Sequence, residues 1–355
     1  MTLPVVLITG GSGMLGRALT ARLARDYVVV GLDVSEPQPD VPYDSVHYLD
    51  VTSPMSAQYA LHNVRERYGT RLAAVVHLAA YYDLSGEDSP KYEQVTIRGT
   101  ERLLRMLEPF ELERFVFSST MLVHRPVKPG QLIHEDSPLG ASWAYPASKI
   151  ETERVIREHH PPVRYTLLRI AGVYTGFGKQ PTLVQQIERI RERDFKSFFF
   201  PGDSEAGQAL VHLDDAVEAL ALAVERRAEL PDGPILIGEP EVLGYAELQD
   251  RIGRLVWGHE WPTVRVPAPL AKAAAWIEEK TGEGSFIKPY MIELADDHYA
   301  LDITRAREWL GWEPRHRLAD ELPEMIETMR AYPVAWQQAN GLAPEDAAEV
   351  EPVGT

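Results

Sequence analysis

The most constraining feature of this sequence is a glycine cluster that separates a short apolar run, residues 5–8, from a helix-like pattern. Glycines recur every third residue in this cluster, at Gly10, Gly13 and Gly16. This order predicts a buried parallel strand, a tight turn and a helix whose free N–H groups face an anion. Gly10 permits the turn, Gly13 lets the backbone approach a pyrophosphate, and Gly16 lets helix and strand pack closely.

A second apolar run, residues 27–33, ends in Asp33, about 20 residues beyond the turn, where a ribose-binding acid is expected. A carboxylate there accepts hydrogen bonds from both hydroxyls of an adenosine ribose and repels a 2′-phosphate. The neighbouring Ser12, Val34 and Ser35 are uncharged. The alternative, a strand–turn–helix without a ligand, does not account for the acid at this spacing. The sequence therefore predicts NAD as the cofactor in preference to NADP.

The composition is that of an ordinary globular protein, with 45% hydrophobic and 25% charged residues. The net charge of −17 argues against binding nucleic acid or an anionic membrane through bulk electrostatics. The absence of cysteine excludes disulfides, thiolate metal sites and cysteine nucleophiles. The eleven histidines are scattered, so no metal site is predicted. The first apolar run is too short for a signal peptide or membrane span, and we expect a cytoplasmic protein.

Strand-like and helix-like patterns alternate through the first part of the chain, which predicts an α/β fold with a Rossmann-type doubly wound parallel sheet. Later strands are predicted at residues 46–51, 73–80, 114–120 and 165–170, and helices at 96–107 and 146–159. Residues 1–171 with about 207–228 form the predicted NAD-binding domain, and about 172–206 with 229–330 a smaller C-terminal substrate-binding lobe. Residues 340–355 are predicted to be an acidic flexible tail.

The second chemical signal is a tyrosine and a lysine, Tyr145 and Lys149, placed four residues apart at the start of a predicted helix. Residues at this spacing share one helix face, and an ammonium beside a phenol lowers the pKa of the tyrosine. A general acid or base that exchanges a proton with an alcohol needs such a pKa. A solvated helix face is the alternative, but the preceding strand ends in three hydroxyls, at Ser118, Ser119 and Thr120. These hydroxyls can polarise the oxygen whose proton the tyrosine handles.

Together these motifs resemble the extended short-chain dehydrogenases/reductases of the NAD-dependent epimerase/dehydratase family. The resemblance covers about residues 4–330, including the segments 77–80, 99–100, 169–178, 212–215 and 302–314. It implies that Tyr145 exchanges the proton, that Thr120 hydrogen-bonds the same oxygen, and that Lys149 holds the nicotinamide ribose. The cofactor-binding residues that it implies are Gly10, Gly13, Met14, Leu15, Gly16, Asp33, Asp50, Val51, Leu78, Ala79, Ala80, Ser118, Tyr145 and Lys149.

The resemblance also implies a homodimer formed through two helices, at about residues 95–107 and 147–159. Apolar residues that we expect to support this interface are Leu103, Leu104, Leu107, Ile150, Val155 and Ile156.

Departures from the family pattern bear on the substrate. Dehydratases of the family carry an acidic pair after the catalytic threonine, where this chain has Met121 and Leu122. Sugar-nucleotide enzymes present arginines to the diphosphate, where this chain has Gln208 and Lys288. Asparagines common in the family are replaced by Thr96 and Gly172, and Arg265 is a possible substitute clamp elsewhere. Losing bidentate guanidinium contacts argues against a nucleotide-diphosphate substrate. The apolar residues 198–201 line either a pocket or the core.

Three hypotheses for the function follow. The first is an NAD-dependent oxidoreductase of a secondary alcohol or ketone, steroid-like or isoprenoid, with a small molecule as substrate. The second is a sugar epimerase that retains its NAD. The third is a non-catalytic NAD sensor, which the presence of Thr120, Tyr145 and Lys149 disfavours. The first two share every catalytic residue, and the fold does not choose between them.

Overall fold

The computed structural model describes residues 3–36, 39–83, 87–159, 163–266 and 295–342. The chain divides into two compact units. The first unit takes in the described residues of Met1–Ala171, Leu213–Val242 and Asp297–Arg315. The second unit takes in those of Gly172–His212, Leu243–Asp296 and His316–Thr355.

The strands in the described residues are β1 Val5–Thr9, β2 Val28–Asp33, β3 Ser45–Tyr48, β4 Arg71–Leu72, β5 Ala74–His77, β6 Glu111–Leu112, β7 Phe115–Thr120, β8 Tyr165–Ile170, β9 Gly172–Tyr174, β10 Phe199–Phe200, β11 Leu210–His212, β12 Gly233–Ile237 and β13 Val264–Arg265. The α-helices are α1 Met14–Leu23, α2 Pro54–Tyr68, α3 Arg98–Leu107, α4 Ala144–His159, α5 Pro181–Arg191, α6 Leu213–Glu225, α7 Tyr245–Trp257, α8 Leu318–Ala331 and α9 Pro333–Ala339.

The first unit is built on a seven-stranded sheet in the order β12-β8-β7-β5-β1-β2-β3, with every neighbouring pair parallel. All of β1 is buried, as expected for a parallel strand covered on both faces. The direction of winding reverses between β1 and β5, and open α/β sheets bind ligands at the carboxyl end of such a switch point. The predicted fold class, α/β with a Rossmann-type doubly wound sheet, is confirmed.

The division into units differs from the predicted domains in three places. Residues 229–242 belong to the first unit because β12 pairs with β8 at the edge of the large sheet. The segment Asp297–Arg315 also belongs to it, and the Trp312 indole donates to the Asp215 carbonyl at 2.9 Å. Residues 207–212 belong to the second unit, where β11 pairs with β9. From residue 343 onward, the predicted acidic tail lies outside the described residues.

The apolar residues of α3 and α4 face the core of the first unit. The side chains expected at a dimer interface that are instead buried in this core are Leu103, Leu104, Leu107, Val155 and Ile156. Ile150 is only half-buried. The helical pattern is therefore explained by packing inside the unit, and the homodimer stays a prediction that light scattering at micromolar concentration can check.

The second unit has its own apolar core, in which Trp336 and Met325 are fully buried. Phe198 stacks on Trp261 with ring centroids 4.6 Å apart, and Phe200 stacks on Tyr245 at 3.7 Å. The rings of Phe198 and Phe200, in the apolar run at residues 198–201, therefore serve packing within this unit. No helix in the described parts of either unit combines the length and apolarity needed to cross a bilayer.

Arg114 is a fully buried arginine that links three neighbouring strands at the β12 side of the large sheet. Its guanidinium donates to the carbonyls of Arg227 at 2.7 Å, Tyr165 at 2.9 Å and Leu230 at 2.6 Å. These bonds tie the segment that leads into β12 to the start of β7 and β8. The Leu230 carbonyl also accepts from Arg164, but the carbonyls of Arg227 and Tyr165 lose a charged donor if the Arg114 guanidinium is removed.

We expect Arg114→Met to lower the free energy of unfolding by about 3 kcal/mol or more, because several buried carbonyls lose a charged donor. Urea unfolding followed by circular dichroism measures this change. Arg71→Met is the matched control: Arg71 is largely exposed and lies 3.7 Å from Glu111, so its loss should cost less than about 1 kcal/mol. Equal effects of the two substitutions would contradict the role assigned to Arg114.

Candidate active site

The glycine turn after β1 is shaped by close backbone contacts. Gly10 has φ +69°, and a Cβ there would lie 2.8 Å from the Ala79 nitrogen. A Cβ at Gly16 would lie 2.5 Å from the carbonyl oxygens of both Gly10 and Gly11. Gly13 precedes the first residue of α1, Met14, in an extended conformation and without a side-chain cap. The turn thus requires glycine at Gly10 and Gly16, and leaves the first N–H groups of α1 without an internal partner.

Asp33 ends β2 beside this turn. One of its carboxylate oxygens accepts from the Ser12 N–H at 2.9 Å, and the other accepts from the Ser35 N–H at 2.9 Å. Each oxygen keeps a second lone pair for a further donor. Asp33 therefore braces the glycine turn and retains acceptor sites of the kind that two ribose hydroxyls need.

Asp50 and Val51 follow β3 on the same side of the switch point. The Asp50 carboxylate accepts two hydrogen bonds from Thr52, one from its backbone N–H at 2.8 Å and one from its side-chain hydroxyl at 2.7 Å. Val51 is buried, and a Cβ at Gly99 would lie 2.8 Å from its Cγ2. Gly99 in α3 is therefore the residue that allows this helix to approach Val51.

Residues 78–80 follow β5 and lie directly against the glycine turn. The Leu78 N–H donates to the Thr9 carbonyl at 3.1 Å, and the Ala79 N–H donates to the Thr9 hydroxyl at 3.3 Å. The sequence thus places Leu78, Ala79 and Ala80 beside β1 because β1 and β5 pair in parallel.

His77 links this junction to α3 from a fully buried position. Its Nδ1 lies 2.6 Å from the Thr9 hydroxyl and its Nε2 lies 2.9 Å from the Thr100 hydroxyl. Thr100 donates its own proton to the Thr96 carbonyl at 2.6 Å, so Nε2 is the donor and Nδ1 the acceptor. Burial, followed by the charge of Lys149, lowers the pKa of His77 to about 3. His77 is accordingly a neutral bridge between β1 and α3.

Tyr145, Lys149 and Thr120 come together where β7 ends and α4 begins. All three are buried, and the Thr120 side chain lies near enough to Tyr145 to work against the burial that raises the pKa of this phenol. The Lys149 ammonium donates to the Ser118 carbonyl at 2.7 Å, and its nitrogen lies 5.9 Å from the centroid of the Tyr145 ring. The three residues predicted to carry catalysis therefore share one site, with Ser118 as the partner of Lys149.

The charge states of this pair differ from the expectation drawn from the sequence. Burial, followed by the nearby Tyr82 hydroxyl, raises the pKa of Tyr145 above its ordinary value. Burial also lowers the pKa of Lys149 to about 7, although the charge of Glu153 works in the opposite direction. The predicted lowering of the tyrosine pKa is absent because desolvation outweighs an ammonium that points to the Ser118 carbonyl.

Two aromatic side chains lie close to the Tyr145 ring. The Tyr82 ring meets it edge-on with centroids 5.3 Å apart, and the Trp143 ring lies 5.5 Å away at an interplanar angle of 35°. Tyr82 is 60% exposed and Trp143 half-buried. Neither residue belongs to a motif that predicts the site from the sequence. Tyr82 follows β5 directly after Ala80 and Tyr81, and Trp143 precedes the helix, which were the signals available.

The sequence motifs also did not predict a buried ion pair next to the site, formed by Glu153 and Arg169. Glu153 accepts from Arg169 at 2.7 and 2.9 Å and from the Ser119 hydroxyl at 2.7 Å. The Nη1 of Arg169 also donates to Nε2 of His124 at 2.9 Å. The signal that could have found Glu153 is its position four residues after Lys149, on the same face of α4.

Comparison with known proteins places this arrangement in a family. A family model described as the NAD dependent epimerase/dehydratase family matches residues 6–238, more than half of the chain. This chain belongs to that family. It is accordingly an NAD-dependent enzyme of the extended short-chain dehydrogenase/reductase type, as the sequence motifs predicted.

Relatives of the family extend over nearly the whole chain. Human short-chain dehydrogenase/reductase family 42E member 1 is 26% identical, over 92% of this chain and 87% of that protein. A putative UDP-glucose 4-epimerase of Methanocaldococcus jannaschii is 22% identical, over 92% of this chain and 98% of that protein. The solved structure of Thermus thermophilus UDP-glucose 4-epimerase with NAD has a TM-score of 0.69 and is 21% identical, over 92% of this chain and 99% of that chain. At 21% identity, this structural similarity shows a shared fold.

The residues of the first unit fit the cofactor of the family. The turn excludes side chains where a pyrophosphate must approach, and Asp33 retains acceptor capacity at the end of β2. Of the positions that depart from the family pattern, Met121 and Thr96 are buried and Gln208 and Arg265 are exposed. Lys288 lies outside the described residues.

We expect Asp33→Asn to weaken NAD binding about ten-fold, which corresponds to about 1.4 kcal/mol, and to weaken NADP binding less. The substitution keeps one acceptor for the turn and removes the charge that repels a 2′-phosphate. Calorimetric titration with both cofactors measures the ratio. Glu36→Gln is the control because it removes an equal charge from the exposed segment that follows β2. Equal or tighter NADP binding by the unaltered protein would refute the role of Asp33.

Proposed function

We propose that this chain is an NAD-dependent oxidoreductase that acts on a secondary alcohol or ketone through Thr120, Tyr145 and Lys149. The observation that carries the proposal is that Thr120, Tyr145 and Lys149 are all buried where β7 ends and α4 begins, with Lys149 one helical turn after Tyr145. A phenol and a hydroxyl that lie side by side can both hydrogen-bond one substrate oxygen.

Each side chain has a separate task in this proposal. Tyr145 exchanges a proton with the substrate oxygen, and Thr120 hydrogen-bonds the same atom. Lys149, fixed by the Ser118 carbonyl, donates to the hydroxyls of the nicotinamide ribose. When bound, NAD supplies the centre that accepts or returns a hydride.

The charge states in the described arrangement favour proton donation. With its pKa raised by burial, Tyr145 is a neutral phenol that can give its proton to the oxygen of a ketone. An additional positive charge in the site would favour the phenolate needed for the reverse direction. Tyr145 can therefore act as general acid or general base, depending on the direction of the reaction.

The surroundings of Tyr145 support an apolar substrate. Met121, which directly follows Thr120, is buried, and it stands where family dehydratases carry an acid. The rings of Tyr82 and Trp143 offer apolar faces next to Tyr145. Aromatic faces bind other rings through dispersion and offset contacts. A ketone or alcohol on an apolar ring system, steroid-like or isoprenoid, matches these surroundings.

The second candidate function is a nucleotide-sugar epimerase with retained NAD. It is favoured by the family and by relatives whose names describe UDP-glucose 4-epimerases. It needs the same Thr120, Tyr145 and Lys149. It also needs a positively charged group that binds the diphosphate of the substrate. The exposed Arg265 is the arginine that the sequence suggests for this role.

Tyr145→Phe should lower turnover by about 100-fold or more and leave NAD affinity nearly unchanged, because only the proton-exchanging hydroxyl is lost. Steady-state kinetics and calorimetry measure the two quantities. Tyr92→Phe is the matched control: this neighbouring buried tyrosine donates to the Asp83 carbonyl at 2.7 Å and has no proposed chemical task. A Tyr145→Phe enzyme with normal turnover would end this mechanism.

A ligand panel separates the two candidate functions. With NADH present, we expect apolar cyclic ketones to raise the melting temperature and to be reduced, whereas UDP-, GDP- and dTDP-sugars should do neither. Tyr82→Ala and Trp143→Ala should raise KM for the ketones about ten-fold, since each removes a ring face. Selective stabilisation by one sugar nucleotide would instead make the epimerase the primary candidate.

A further inference from the structure

Helix α4 meets the end of β7 through three side chains spaced four residues apart. Tyr145, Lys149 and Glu153 occupy successive turns and therefore lie along one helix face. Their partners on β7 are the last three residues of that strand. The Thr120 side chain lies next to Tyr145, the Lys149 ammonium donates to the Ser118 carbonyl, and the Ser119 hydroxyl donates to the Glu153 carboxylate. Two of these contacts belong to the proposed chemistry, and the third has no assigned role.

Glu153 is an ionised carboxylate in the interior. Its side chain is fully buried, and it forms a salt bridge of 2.7 Å with the equally buried Arg169. Burial works to raise its pKa, but the hydrogen bonds and charges of Arg169, Ser119 and Arg157 outweigh burial, and the pKa is lowered. The carboxylate thus carries its charge throughout the neutral range.

Arg169 connects Glu153 to the segment that follows Thr120. It lies opposite Ser119 in the register of β7 and β8. Its guanidinium donates to the Glu135 carbonyl at 2.8 Å and to Nε2 of His124 at 2.9 Å. His124 ends the short turn that begins after Thr120. Residues on both sides of Thr120 are therefore held by one ion pair.

We propose that Glu153 is a positioning residue for the Thr120–Tyr145–Lys149 site. Its carboxylate holds the end of β7 against α4 through Ser119, and it is the negative charge that faces Lys149 from the next turn of the helix. The inference rests on the proposed function, because it assigns Glu153 to the same site. A core ion pair without this role would affect stability alone.

The charged groups around Lys149 and Glu153 determine which of them changes its charge near neutral pH. Lys149 faces the carboxylate of Glu153 on its own helix, and neutral His77 approaches it from β5. Glu153 faces Arg169 from β8 and the exposed Arg157 from the next turn of α4. His124 stays neutral because burial, followed by the charge of Arg169, lowers its pKa to about 4. Lys149 is therefore the group of this cluster that changes charge near neutral pH.

The sign of the effect follows from these positions. The charge of Glu153 raises the pKa of Lys149 against the opposing effect of burial. Glu153→Gln keeps the shape and removes that charge, so Lys149 loses its proton at a lower pH. Because an ammonium binds the ribose hydroxyls better than a neutral amine, NADH affinity should fall at a lower pH as well.

The test compares Glu153→Gln, Glu153→Asp and Ser119→Ala with Arg157→Met as control. NADH affinity is measured by fluorescence between pH 5 and 9, and kcat and KM on a ketone substrate are measured in parallel. We expect Glu153→Gln to move the pH midpoint of NADH binding down by about one unit. Glu153→Asp should keep the midpoint, because the charge remains. Arg157→Met should leave the midpoint and kcat unchanged.

Ser119→Ala and Glu153→Asp test the positioning of β7 separately from charge. Ser119→Ala removes the bond to Glu153 and leaves the ion pair with Arg169. Glu153→Asp keeps the charge but withdraws the carboxylate from both partners. Each should fold and lower kcat about ten-fold with little change in KM. If Glu153→Gln fails to fold, these two variants decide the matter. An unchanged kcat in both would overturn the proposal, as would a Glu153→Gln protein that binds NADH with an unshifted midpoint.

The NADH measurement is independent of the reaction catalysed. If Tyr145→Phe retained full turnover, the proposed function would fail, but a shifted midpoint in Glu153→Gln would still show that Glu153 sets the charge of Lys149. If turnover depended on Tyr145 and neither readout moved in the Glu153 and Ser119 variants, the positioning role alone would fail.

Discussion

The contact of α4 with the carboxyl end of β7 is the interaction on which the site depends. Neither element carries the chemistry alone, since Thr120 ends the strand while Tyr145 and Lys149 begin the helix. The contact is polar as well as buried, and buried polar groups are tolerated only when they are paired. The pairing of successive helix turns with residues 118–120 fixes the position of the helix along the strand.

The order of strands explains why the cofactor residues meet where they do. Parallel strands present their carboxyl ends at one edge of the sheet, and the winding reverses between β1 and β5. The glycine turn after β1, Asp33 after β2 and residues 78–80 after β5 are therefore neighbours. His77 joins β1 to α3 through Thr9 and Thr100. Hydrogen bonds between neutral groups therefore hold β1, β5 and α3 together beneath the cofactor residues.

Burial has opposite consequences for the two titratable groups next to Thr120. It raises the pKa of the Tyr145 phenol and lowers the pKa of the Lys149 ammonium, because a low dielectric disfavours any charge. The balance depends on charges supplied from outside the pair. Glu153 is a charge of this kind among the described residues of the first unit, and it is itself ionised because Arg169 pairs with it.

The sequence by itself determined the fold class, the family and the cofactor, because glycine spacing, strand-ending acids and the Tyr145–Lys149 interval are local patterns that the backbone geometry interprets directly. Only the tertiary structure decided that Leu103 and Ile156 serve the core, that β12 completes the large sheet, and that Glu153 grips Ser119. These contacts join residues far apart in the chain. Their strength depends on burial and on paired charges, neither of which periodicity encodes.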